Sequence, residues 1–168
     1  MKKRLFAIAF MICSSVLGQT THEKYANDAK TIDKIIDAYY EIASGSSLDP
    51  WAFERDTYIH SKNAAITFLY GKGKAELITL EAFHTELKGS EKKDLYEKEL
   101  KRKVIQYGNV AQVWSAYEIR NKPEVATNYR GLVSLQLHFE EGRWFIDYWT
   151  NEMENDTNAL VTDFLREE

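Results

Sequence analysis

The chain has 168 residues, 44% hydrophobic and 29% charged, which suits one compact domain with a real core and argues against two domains or a disordered tail. Its formal charge is −4. An acidic chain is a poor partner for nucleic acid or an anionic membrane surface, both of which are gripped through clustered lysine and arginine.

The opening MKKRLFAIAFMICSSVLGQ joins Lys2, Lys3 and Arg4 to an apolar run from Leu5 to Ile12 and then to small residues. That order predicts a secretory signal peptide over residues 1–18, cut after Gly18, with a single domain over 19–168 and export to the periplasm or medium. The apolar stretch is too short to span a bilayer comfortably, and no later stretch approaches transmembrane length. Cys13 lies inside the signal. A lipoprotein anchor there is conceivable, but Ile12 precedes it where a small side chain is wanted. Loss of Lys2, Lys3 and Arg4 takes the charge to −7 and leaves a domain without cysteine, disulfide or membrane attachment.

Over 28–43, Ile32, Ile35, Ile36, Tyr39 and Ala43 recur at helical spacing, with Asp28 or Thr31 as N-cap and Gly45 as the stop. In SGSSLDPWAFERD, Asp49 can cap a short helical turn with Pro50 at its first position, presenting Trp51 and Phe53. Strands are predicted at 64–70 and 75–78 around GKGK, followed by a helix from Thr79 to Leu87 ended by Gly89. GKGK lacks the spacing and the trailing Ser or Thr of a phosphate loop and precedes a strand, so it reads as a turn. Long strands follow at 97–107, 110–121, 128–140 and 143–151, joined at Gly108-Asn109 and Glu141-Gly142 by two-residue hairpin signals. Helices first and a strand meander last predict an α+β fold.

Strict alternation from Glu141-Gly142 sets Phe139 against Trp144, Leu137 against Ile146 and Leu135 against Tyr148 on one face. His138 with Phe145, Gln136 with Asp147 and Ser134 with Trp149 take the other. From Gly108-Asn109 it sets Val104 against Val113, Arg102 against Ser115 and Leu100 against Tyr117, with Lys103 and Trp114 behind. The first helix can cover the greasier face. The mixed face, with Trp114, Ser134, Gln136, Phe145 and Trp149, predicts a homodimer through the outside of the sheet.

The element order, with AYYEIASG in the first helix, DPWAF in the turn and GRWFI in the last strand, resembles the NTF2-like superfamily, including SnoaL-like and ketosteroid-isomerase-like proteins. YEKELKRKVIQYGNVAQVWSAYEIR and RGLVSLQLHFEEGRWFI narrow the likeness to an exported bacterial branch, over nearly all of the mature chain. The resemblance implies a cone: N-terminal helices packed on a strongly curved antiparallel sheet, a pocket at the wide end, and a dimer through the sheet. It implies no single activity, because this fold carries many. One departure is that Trp149 stands about two positions early for the tryptophan that follows the GRW strand in that branch, while Glu152 is in place.

A cone pocket built on the greasier face is expected to hold Tyr39, Trp51, Phe53, Ser115, Tyr117, Trp144 and Tyr148, with Arg102 as an inward charge. Such a lining suits a small apolar or aromatic ligand, and Arg102 would favour one bearing a carboxylate unless Glu97 or Glu99 satisfies it. The alternative is a cofactor-independent isomerase or lyase of the SnoaL or ketosteroid-isomerase type, with His60 as base beside Tyr39 or Tyr117. A third reading is a dimerisation unit whose pocket is filled by its own side chains. His84, His138 and Asp147 read as structural. No spacing of His, Asp, Glu or Cys suggests a metal site, no Gly-x-Ser-x-Gly elbow occurs, and no cofactor is expected.

Overall fold

A computed structural model describes residues 24–70, 74–127, 129–160 and 162–165 of the chain. The segment read as a signal peptide, with Cys13, lies outside the described residues. Helix α1 runs Ile32–Ala43, and the Thr31 hydroxyl accepts the Lys34 N–H at 3.2 Å, so the N-cap falls on the second of the two expected residues. Its buried stripe is Ile35, Ile36, Ala38 and Tyr40. The helix closes at Ser44, and Gly45 (φ 146°) turns the chain out to pair with Leu95.

The expected cap at Asp49 does not form. Its carboxylate accepts the Ser46 N–H at 2.8 Å, and Lys92 Nζ donates to the Asp49 and Pro50 carbonyls, so this stretch is held as a turn. The helix α2 begins later, at Phe53–Ile59, with Ala52 at a cap that has no side-chain bond. It feeds directly into β1 (His60–Tyr70), which starts four residues before the expected strand and so buries His60. β2 (Lys74–Thr79) returns antiparallel, and Thr79 caps α3 (Leu80–Gly89).

The remaining strands are β3 (Tyr96–Tyr107), β4 (Val110–Arg120), β5 (Tyr129–Glu140) and β6 (Arg143–Met153), followed by a single turn of helix, α4 (Thr162–Leu165). Sheet order is β2-β1-β6-β5-β4-β3. The expected α+β class holds, but the sheet is mixed rather than wholly antiparallel, because β1 lies parallel to β6. Both two-residue hairpins form in the predicted register, Tyr107 opposite Val110 and Glu140 opposite Arg143. At the second, Glu141 (φ 48°) and Gly142 (φ 84°) both take the left-handed conformation that a tight hairpin turn needs.

Strict alternation then fails at two places. Leu100 is an extra residue in β3, so Tyr117 faces Glu99 and Ile119 faces Glu97. Asp147 is an extra residue in β6, so Gln136 faces Tyr148, Leu135 faces Trp149 and Ser134 faces Thr150. A bulge bends its strand and exchanges the faces beyond it. The expectation that Trp144 and Tyr148 share a face is therefore corrected: Trp149 is buried in the core and Tyr148 stands on the outer face with Gln136.

The core lies between α1 and the inner face, around Ile35, Ile36, Ile66, Val113, Val133, Leu135, Leu137 and Ile146. On the outer face, His138 stacks on Phe145 at 5.0 Å and its Nδ1 meets Asp147 at 2.8 Å, while Trp114 stays 38% exposed. The chain's own C-terminal segment crosses part of that face. Glu154 grips Arg130 and the Leu160 N–H, Leu160 is buried in a cleft it shares with Trp114, Leu132 and Ser134, and Lys103 lies over the Phe164 ring.

Candidate functional site

Between the C-terminal end of α1 and the inner face lies a cavity of about 350 Å³. α1 supplies Tyr39, Ile42 and Ala43; α2 and the turn before it supply Trp51, Phe53 and Asp56; α3 supplies Phe83 and Leu87. The sheet contributes His60 and Phe68 from β1, Glu97 from β3, Tyr117 from β4, and Trp149 and Asn151 from β6. The inner rings pack edge to face, with Trp149 5.9 Å from Tyr39, 5.7 Å from Phe68 and 6.0 Å from Phe83. Trp51 and Phe53 stack at 5.5 Å on the side of the loop that carries Glu91, Lys92 and Lys93.

Of the residues expected in the pocket, Tyr39, Trp51, Phe53, Tyr117 and His60 lie on this wall. Arg102, Ser115, Trp144 and Tyr148 do not. Arg102 points toward α1 and is taken up by Glu99, Asp33 and Asp37 at 2.5–3.0 Å, the internal pairing that removes any need for an anionic ligand. Ser115 donates to Glu99 and sits 2.6 Å from the Tyr40 hydroxyl, closed inside the same network. Trp144 packs at the other end of α1, its backbone N–H donating to the Ala29 carbonyl and its ring against Phe139. Tyr148 was carried to the outer face by the β6 bulge.

Among the wall residues not foreseen as pocket residues, Glu97, Trp149 and Asn151 were missed for one shared reason. All three lie beyond a bulge, where strict alternation assigns them to the outer face. Glu97 is fixed through its backbone, its N–H donating to Ser44 Oγ at 2.9 Å while that hydroxyl donates to its carbonyl at 3.2 Å. Its carboxylate makes no hydrogen bond or ion pair among the described residues, and burial raises it from 4.5 to about 7. The neighbouring phenols move the same way. Burial, with Glu97 nearby, raises Tyr117 to about 12 and lifts Tyr39 and Tyr40 well above the usual phenol value. Asn151 donates to the Tyr117 hydroxyl at 3.0 Å, and Tyr117 lies across Gly131, where a Cβ would come within 2.6 Å of that oxygen.

Opposite stands a buried trio. His60 Nδ1 lies 2.9 Å from the Asp56 carbonyl and 3.1 Å from Asp56 Oδ1, one helical turn back, while His84 Nε2 of α3 meets Asp56 Oδ2 at 2.7 Å. Burial opposes ionisation of Asp56, but the two imidazoles beside it outweigh that and hold its carboxyl well below the usual carboxylate range. Two oxygen acceptors at Nδ1 put the proton there. Nε2 of His60 is the ring nitrogen left over, buried and without a hydrogen-bond partner among the described residues. An imidazole oriented by a carboxylate and a carboxyl poised near neutrality are the two kinds of group that proton transfer needs.

No family model matches the chain, and no curated protein matches it in sequence. Its likeness to solved structures is in shape. An NTF2-like protein of unknown function from Shewanella baltica superposes with a TM-score of 0.56 at 12% identity, over 82% of this chain and 98% of that one. The chain has the NTF2-like fold. A candidate ketosteroid isomerase from Parabacteroides distasonis reaches the same TM-score at 13% identity, over 78% of this chain and 98% of that one. The association domain of CaMKII from Caenorhabditis elegans reaches 0.53 at 17%, over 72% and 91%. In NTF2-like terms, the α1 end, the Trp51 turn and α3 close the wide end of the cone.

Proposed function

We propose that this NTF2-like cone binds a small apolar or aromatic molecule in the cavity between Trp149, Tyr39, Phe68 and Phe83. The observation that supports it is space: about 350 Å³ stays open among rings instead of being filled by the chain's own side chains. Native mass spectrometry of the purified chain, followed by saturation-transfer NMR with a set of aromatic fragments, tests it. Expected are a retained small molecule or fragment signals that Trp149→Phe attenuates. Neither a retained mass nor any fragment signal from a folded sample would refute it. The ligand carries no obligatory carboxylate, because Arg102 is spent on its own acids.

A second reading has its own support. Asp56 behind Nδ1 of His60, and the unpartnered Nε2, are the arrangement a general base requires, so the alternative is a cofactor-independent isomerase or lyase. Incubation with a β,γ-unsaturated cyclic ketone in D2O tests it by NMR. Deuterium uptake that His60→Gln abolishes supports the base, and uptake no faster than in buffer removes it.

Pairing and address complete the proposal. Two copies pair through the outer face around Trp114, Ser134, Gln136 and Phe145, with Tyr148 standing where Trp149 was expected, and the C-terminal segment forms one margin of the contact. The likeness to an association domain supports this, and a strictly monomeric sedimentation profile at micromolar concentration would contradict it. The chain is exported with residues 1–18 removed, which N-terminal sequencing of the secreted or periplasmic protein checks.

A further inference from the structure

The inner wall of the cavity holds a carboxyl that no described residue answers. Glu97 lines the cavity from β3 with no ion pair or hydrogen bond to its carboxylate among the described residues, whereas Asp56, also on the wall, is held between two imidazoles. Arg102 on the same strand is fully engaged elsewhere. A second feature of the fold points the same way. α1 is a 12-residue helix whose C-terminal end forms the cavity wall at Ile42 and Ala43, and its C-cap Ser44 is bonded to the Glu97 backbone. That end carries partial negative charge, and no basic residue stands in its last turn. An unpaired carboxyl and a helix C-terminus, both against one cavity, create a place for a cation.

The rings are suited to the same guest, because aromatic faces attract ammonium groups. At the outer margin the chain already shows this: Lys92 Nζ lies 5.0 Å from the Trp51 ring and Lys88 Nζ 5.1 Å from Phe53. Deeper in, Tyr39, Phe83 and Trp149 have no lysine or arginine over them among the contacts of the described residues. An anionic guest would instead meet Glu97, Asp56 and the helix end together.

We propose that the cone selects a small organic amine, its apolar or aromatic body against Trp149, Phe68 and Phe83 and its ammonium against Glu97. This rests on the binding reading above and names its ligand class. The groups that face Glu97 are Tyr39 and Tyr40 from α1 and Tyr117 from β4, with Asp56 and His60 across the cavity and Glu91, Lys92 and Lys93 at its rim. The three phenols stay neutral around pH 7. Binding of an ammonium therefore requires Glu97 ionised and releases its proton when the pH is near 7, so affinity for the amine falls as pH drops below that value.

Calorimetric titration of the full chain with 2-phenylethylamine, 2-phenylethanol and phenylacetate, at pH 7.5 and 5.5, tests the class. Expected is at least tenfold tighter binding of the amine than of the alcohol at pH 7.5. That preference vanishes at pH 5.5 and in Glu97→Gln, while the alcohol binds the variant as it binds the parent. The isosteric amide keeps the fold, which thermal unfolding of the same sample verifies. Equal binding of amine and alcohol, preference for phenylacetate, or an amine preference that survives Glu97→Gln overturns the amine assignment and leaves the apolar cavity standing. Binding of none of the three by folded protein overturns both.

Discussion

Glu97→Gln replaces a half-buried carboxyl with an amide of nearly the same shape, and its effect should depend on pH in a way that identifies the site. In the folded chain burial raises this carboxyl to about 7 from 4.5. The folded state therefore binds the proton more tightly than the unfolded chain. Glu97 costs nothing below pH 4.5; as pH climbs from there to 7 it withdraws stability, and above 7 the loss levels off. At roughly 1.36 kcal/mol per pKa unit the span corresponds to about 3 kcal/mol. The variant carries no such penalty, so it should match the parent near pH 4 and exceed its stability by about 3 kcal/mol at pH 8. Urea unfolding followed by tryptophan fluorescence, repeated at half-unit steps from pH 4 to 8.5, measures the difference. Every other ionisable group is common to both proteins, so its contribution cancels in that difference. A gap that does not change with pH would refute the claim that Glu97 is a desolvated, unpaired acid. Saturating amine should close most of the gap at pH 8, since an ammonium supplies the charge the fold withholds.

Three further outcomes follow from the packing. Asp56→Asn leaves two buried imidazoles without their shared anion and should cost about 3–5 kcal/mol in urea unfolding at pH 7; the parent itself loses this contribution as pH falls from 3.8 through the lowered folded value of Asp56. Gly131→Ala drives a methyl to within 2.6–2.8 Å of the Tyr117 ring oxygen, its neighbouring ring carbon and the Glu152 carbonyl, and should destabilise by about 1–3 kcal/mol while shifting the Tyr117 ring resonances in NMR. Trp144→Ala should cost about 3–5 kcal/mol in the same unfolding assay, yet leave fragment affinity unchanged in the molecules that remain folded, because Trp144 lies away from the cavity wall.

The sequence carried most of the fold because its signals are local. Thr31 and Thr79 are caps whose hydroxyls bond the N–H groups three residues on, and Glu141-Gly142 meets a conformational need that few residue pairs satisfy. Those features set the starts of α1 and α3 and the register of the β5–β6 hairpin before any tertiary contact is considered. The turn at Asp49 misled because the same carboxylate can close a turn or cap a helix, and the choice is made by Lys92, more than forty residues away. His60 was legible as a candidate, and its partner Asp56 lies at the i,i−4 spacing of α2. His84, which completes the trio from α3, has no sequence relation to either.

The site itself was less legible than the fold, and the cause is the pair of bulges. Neither Leu100 nor Asp147 is a glycine or proline, so neither announces a break in the strand; the extra residue is needed because a sheet that bends around α1 cannot keep strict alternation along strands of eleven or twelve residues. Reading β6 without its bulge sends Trp149 and Asn151 outward, and reading β3 without its own does the same to Glu97. Restoring the two extra residues brings the tryptophan, the amide and the unpaired acid onto one wall with Tyr117, which β4 holds there in unbroken register with β5. The curvature that closes the cone and the chemistry at its wide end are thus two results of one structural device. Deleting Leu100 should therefore remove the bend without turning the strand over: Glu97 should stay opposite Ile119 and keep its pH-dependent effect on stability in urea unfolding, while β3 straightens and fragment binding in the cavity weakens.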